Sequence, residues 1–152
     1  MKRFNWRLQR VLDIKTRQEQ TKREELLKIT EKLAQRRGQL LTRQRILRDI
    51  ALDIAGKIPE KRLSEQEFFL KYSAASDEQI KKLKDEINGL EIQQSRKIAE
   101  VIKIRQFKEG LERLRAEAKK RFIEEQEKFE QKELDEGATM VFTRKRISEL
   151  VN

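Results

Sequence analysis

The sequence predicts an all-α fold, a long two-helix antiparallel coiled-coil hairpin with a short helix near the bend, and three observations carry that prediction. Charged residues make up 42% of the 152-residue chain and hydrophobic residues 36%, which leaves little material for a three-dimensional core. Breakers are scarce, with five Gly and one Pro, and such a composition belongs to extended helices. Third, the apolar residues recur at heptad spacing. Low hydrophobicity with a net charge of +10 is also the signature of disorder, and this periodicity decides against it.

Taken in order, Phe4, Leu8 and Val11 begin an apolar stripe. The stretch Lys15 to Glu25 then contains no apolar residue; helix propensity suits it, but it offers nothing for a dry seam. Leu26, Ile29, Leu33, Leu40, Leu47, Ile50 and Ile54 resume the alternating spacing, with Arg36 and Arg43 in two seam positions. Gly56-Lys57-Ile58-Pro59 is the obvious stop, Gly suiting a helix C-terminus and Pro a position just beyond it. Ser64-Glu65-Gln66-Glu67 and Ser76-Asp77-Glu78-Gln79 both fit capping boxes. They predict a short helix over about 65–74 and a second long helix from about 77.

The second helix carries the cleanest repeat. One position in seven holds Ile80, Ile87, Gln94, Val101, Lys108, Arg115, Phe122 and Phe129. Three residues later come Leu83, Leu90, Lys97, Ile104, Leu111, Ala118, Glu125 and Lys132. Polar interruptions are frequent, yet the repeat argues a coiled coil. Gly137 is placed to end or loosen this helix. The expected organisation is one elongated domain over 1–152, with helices at about 4–56 and about 77–136, a bend and short helix at about 57–76, and an extension from 137. At 1.5 Å per residue the rod would be about 80 Å long.

Charge supports the antiparallel arrangement. Residues 1–62 hold 18 Lys/Arg and 8 Asp/Glu, and so carry the whole excess. Residues 1–23 are net +6, whereas Phe122 to Glu136 is net −5. A bend near 56–76 lays these segments side by side, and flanking charges set orientation in coiled coils.

Absences narrow the chemistry. There is no Cys and no His, which removes thiolate chemistry, the commonest general base and the commonest transition-metal ligand. No apolar run is long enough to span a bilayer, and the start, Met1 to Arg7, lacks the apolar core of a signal peptide. An intracellular compartment is the expectation. Glu124-Glu125-x-Glu127 and Leu134-Asp135-Glu136 could suggest a metal or acid–base site, but on a helix Glu124, Glu127 and Glu130 fall along one edge and face water, with nothing nearby to bury them. No enzyme activity, cofactor, metal or small-molecule substrate is expected. A basic rod attracts nucleic acid through counterion release, but no zinc pattern, stacking platform or basic zipper helix is present, so nucleic acid is not the expected partner.

The ends carry a resemblance. Phe4-Asn5-Trp6-Arg7-Leu8-Gln9-Arg10-Val11-Leu12 resembles the aromatic-x-aromatic-Arg-Leu-x-x-Val-Leu opening of the FliJ family of flagellar export proteins. Glu130-Gln131-Lys132-Glu133-Leu134-Asp135-Glu136, followed by Arg144-Lys145-Arg146, resembles that family's C-terminal segment. The resemblance implies a component of the flagellar type III export apparatus, cytoplasmic and peripheral at the inner face of the cell membrane. Such proteins are similar in shape to the central stalk of rotary ATPases. They insert their helix ends into the hexameric export ATPase and promote its assembly, contact the export gate membrane protein, and cycle empty export chaperones. A generic coiled-coil adaptor or a virulence-type secretion stalk is the alternative.

Two candidate surfaces follow. For ATPase contact they are Phe4 and Trp6 as apolar anchors, Arg7, Arg10, Arg17 and Arg23 as cations for acidic loops, and Leu134 and Asp135 from the C-terminal motif. The blander account is a solvated basic face paired with Phe122 to Glu136. For gate contact they are Phe69, Tyr72, Ile80 and Leu83, in or just after the Phe68-Phe69-Leu70-Lys71-Tyr72 cluster, where the resemblance implies an apolar and aromatic binding surface. The blander account there is a cap over the end of the coiled coil.

Overall fold

The structure, a computed structural model, describes residues 2–151. It contains two helices, α1 (Gln9–Ala55) and α2 (Pro59–Val151), and no strand among the described residues. Contacts divide the chain into two units. One runs from Gln18 to Ile104 and holds the turn; the other joins the residues up to Arg17 with those from Arg105 onward.

In the unit around the turn, α1 and α2 pack antiparallel. Cross-helix bonds run from Gln94 to Thr30 (3.2 Å), Arg36 to Glu86 (3.1 Å) and Arg43 to Gln79, which fixes the register. That register brings Leu33 level with Ile87 and Leu90. The buried residues are those expected from the heptads: Leu33 and Ile54 on α1, Ile80, Leu83, Ile87 and Val101 on α2. Leu33 is the most enclosed, at 1% exposure. Since apolar burial is roughly proportional to area removed from water, these few side chains carry most of the drive for pairing.

Three residues, Gly56 to Ile58, connect α1 to α2. Gly56 does not take a left-handed conformation. Instead Gly56 N donates to Leu52 O and Asp53 O, and Lys57 N to Ile54 O, tightening the last turn of α1. Arg62 then reaches back, its Nη2 donating to Ala55 O (2.8 Å) and Lys57 O (3.1 Å). A side chain from α2 thus satisfies orphan carbonyls at the end of α1, and no left-handed cap is required. Lys57 Nζ lies between Glu65 (2.8 Å) and Asp53 (3.5 Å), and the hydrogen bond with Glu65 is the main reason its pKa is raised.

Pro59 opens α2 at the position where its missing N–H costs nothing. From there the helix runs unbroken, so the separate short helix and the fresh start near 77 are corrected. Ser64 and Ser76 lie inside α2, where the amide groups a capping box would satisfy are already spent on helix bonds. Ser76 is 5% exposed and serves the seam as a small residue one step before Ile80. Gly137 likewise neither ends nor interrupts the helix.

The apolar-free stretch becomes a polar seam. Lys22, Glu25, Lys97 and Glu100 form a cross-helix network: Lys97 Nζ to Glu25 at 2.7 Å and Glu100 at 3.3 Å, Lys22 Nζ to Glu100 at 3.2 Å and Glu25 at 3.6 Å. Glu19 is buried, at 4% exposure, with Arg23 at 2.8 Å. Alternating charges at one level let each lysine satisfy two carboxylates, so a face without apolar side chains still pairs.

In the other unit the N-terminal segment lies along α2. Leu12 and Leu111 are buried, and Leu8, Ala118 and Phe122 partly so. Helix α1 begins at Gln9, five residues later than expected. Lys2, Arg3, Arg7 and Arg10 put positive charge at a helix N-terminus and no acidic residue occupies its first turn, the unfavourable sense of the helix dipole. Beyond residue 126, every described residue of α2 is exposed.

Two measurements test this account. Leu33→Ala should destabilise the hairpin by about 2–4 kcal/mol in urea unfolding followed by circular dichroism, as for other enclosed leucines. The polar network should show in the pH dependence. Glu25 is held below its ordinary 4.5, chiefly by the hydrogen bond from Lys97, and Glu100 likewise, chiefly by Lys22 and then Lys97. Lys97 is raised above 10.5, chiefly by Glu25. The carboxylate contribution is therefore complete above 4.5 and lost as pH falls through the depressed folded values. The lysine contribution is complete below 10.5 and lost as pH rises through its folded value. Thermal midpoints of Lys97→Met should fall less steeply with acid than those of the unaltered chain; parallel curves would show that the network contributes nothing.

Candidate interaction surfaces at the chain ends and near the turn

The N-terminal motif is anchored by its first aromatic. The Phe4 ring lies 5.4 Å from that of Phe122, tilted by 52°, and the Arg115 guanidinium sits over Phe4 at 5.6 Å. Arg115 Nε also donates to Gln9 Oε1 at 2.8 Å. One arginine of α2 thus holds both the aromatic anchor and the first residue of α1. Further along, Lys15 Nζ stands 4.9 Å over the Phe107 ring. Phe4 and Trp6 are each partly buried, so part of their surface is already spent within the chain.

All four arginines are exposed, and Arg23 is also paired with buried Glu19 one turn before it. Electrostatically Arg7, Arg10 and Arg17 offer a cationic edge to an outside partner, whereas the charge of Arg23 is shared with Glu19. On the C-terminal side Leu134 is 69% exposed, and Asp135, also exposed, accepts from Gln131 Nε2 at 3.4 Å. Lys2 borders a shallow depression with Glu125, Gln126 and Phe129, which brings the basic start of the chain to the acidic stretch of α2.

Near the turn, the four residues expected at the gate separate. Ile80 and Leu83 are buried in the seam, so contact through them requires parting α1 from α2. Phe69 is half-buried beside an open depression lined also by Ala51, Ile54, Ala55, Arg62 and Gln66. Tyr72 is outward and stacks on Phe68, ring centres 6.4 Å apart and planes 12° from parallel. Phe68 and Leu70 are well exposed, and sequence spacing alone did not separate them from Phe69. Their heptad phase, one position either side of Phe69, was the available signal.

Among the described residues no group of His, Cys, Asp or Glu is placed to hold a metal ion, and no helix is long and apolar enough to cross a membrane. The arrangement therefore offers contact surfaces: a cationic edge, an aromatic pair and an exposed helix.

The comparisons with known proteins agree with the end motifs. A family model described as "FliJ: Flagellar FliJ protein" matches residues 4–146. No curated protein and no solved structure matches the chain.

The aromatic anchor has a built-in reporter, because Trp6 is the single tryptophan. Replacing Arg115 with Ala should free the N-terminal segment, shift Trp6 emission to the red and raise its quenching by acrylamide. Unchanged emission would mean that Arg115 does not hold this end.

Proposed function

The chain belongs to the FliJ family of flagellar proteins, and on that premise we propose that it acts as a stalk for the ATPase of the flagellar export apparatus. The family match across residues 4–146 is the observation that carries this reading, and it supports an export component rather than an enzyme. In the proposed mechanism the chain ends enter the hexameric ATPase ring. Arg7, Arg10 and Arg17 meet acidic loops, and Leu134 and Asp135 present the C-terminal motif. A partner without the ring's six-fold symmetry cannot touch all six subunits alike. Differential contact therefore biases their conformational states, which is the only way a ligand can shift such an equilibrium.

The same reading assigns the surface near the turn to the export gate. Tyr72 and the accessible edge of Phe69 carry this contact, supported by Phe68; Ile80 and Leu83 act by fixing the seam beneath it. Export chaperones are further partners, and the protein works in the cytoplasm at the inner face of the membrane.

The test is hydrolysis and ring assembly by the cognate ATPase with and without this protein. Addition should raise both. Replacing Arg7, Arg10 and Arg17 together with Ala should reduce stimulation several-fold while leaving helicity unchanged, because none of the three lies in the seam. Full stimulation by the triple variant would remove the cationic edge from the mechanism.

A further inference from the structure

Beyond the depression that Phe129 shares with Lys2, the last part of α2 has no partner helix among the described residues. From Glu127 to Val151 every described side chain is exposed, including Phe129 (58%), Met140 (59%), Ile147 (56%) and Leu150 and Val151 (80% each). These residues are not scattered. Starting from Phe122 and Gln126, which still lie against the N-terminal segment, alternating steps of three and four lead through Phe129, Glu133, Glu136, Met140, Thr143, Ile147 and Leu150. The face that forms the seam earlier in this unit thus continues past the end of its partner, with apolar residues at about half its positions.

Charge says what that face fits. The first half of the segment is acidic, with Glu127, Glu130, Glu133, Asp135 and Glu136 against Lys128 and Lys132. The second half is basic, with Arg144, Lys145 and Arg146 against Glu149. A helix acidic in one half and basic in the other is complementary to itself when reversed. We propose that the segment from Phe129 to Val151 pairs antiparallel with the same segment of a second copy, about a two-fold axis at Met140. In this register Met140 meets its own copy and Phe129 meets Val151 at both ends. Glu136 lies opposite Arg144, Asp135 opposite Lys145, and Glu133 opposite Ile147 with Arg144 and Arg146 on either side. A parallel pair would instead stack acidic on acidic and basic on basic. Two-fold pairing of one patch with itself is the commonest way for identical chains to associate. It also covers a helix whose isolated length is marginal for stability in water. The proposal does not depend on the stalk reading, since it concerns the protein free of other components.

The absence of cysteine permits a direct test. Disulfide formation requires Cα atoms within about 7 Å of each other. In mild oxidant, full-length Met140→Cys should cross-link to a dimer at least about tenfold faster than Leu134→Cys, which lies on the opposite side of the helix. Orientation is read from an equimolar mixture of Glu133→Cys and Ile147→Cys chains, which should yield mainly the mixed disulfide. High salt should slow all of these reactions by screening the charge pairs. Equal rates at 134 and 140, or homodisulfides dominating the mixture, would overturn the proposal. So would a protein that stays monomeric in sedimentation at every concentration, the result expected if only a different protein covers this helix.

Discussion

Each helix has one apolar stripe, and the whole structure depends on that stripe having somewhere to go. A helix this charged cannot join a layered core, because only the seam positions tolerate removal from water. The antiparallel pairing follows, and so does nearly everything else. Side chains on the seam are committed to α1–α2 contact, and those off it are available to other molecules. Ile80 and Leu83 belong to the first group, Phe68 and Tyr72 to the second, although all four are apolar or aromatic and lie within sixteen residues of one another.

The seam was legible in the sequence because its period is encoded residue by residue. The positions from Ile80 to Leu111 read off in sevens are all buried or partly buried, including the polar Gln94 and Lys97 that reach across to α1. What sequence reading missed lay in signals whose meaning depends on context. Ser64 and Ser76 look like helix starts, but a capping serine matters only where backbone amides are free, and Pro59 had already started the helix. Gly56 marked a helix C-terminus in the sequence, but that Arg62 from the next helix donates to Ala55 O and Lys57 O could not be read from it. The late start of α1 follows from four basic residues set against the helix dipole, a cost that apolar periodicity does not register. The stretch between Lys15 and Glu25 offered nothing for a dry seam, and its polar pairing was not legible because Lys97 and Glu100 stand more than seventy residues away.

Among candidate site residues the division is just as physical. Exposure follows heptad phase, so Arg7, Arg10 and Arg17 could be recognised as surface groups from spacing. Arg23 is exposed like them, but its ion pair with Glu19 could not be read, since it depends on Glu19 being drawn into the seam. Phe4 was legible as the start of an apolar stripe, but that it packs within the chain against Phe122 and Arg115 required the fold.

The charged layer of Lys22, Glu25, Lys97 and Glu100 has a further consequence. Apolar heptads are nearly interchangeable, so leucine and isoleucine layers alone would let one helix slip past the other by seven residues at modest cost. A slip of seven residues in either direction would take Glu25 from Lys97 and set it against Leu90 or Ile104, a carboxylate facing an apolar side chain. The layer therefore behaves as a mechanical stop. Within the unit that holds the turn, α1 and α2 are thus displaced together rather than sliding past one another.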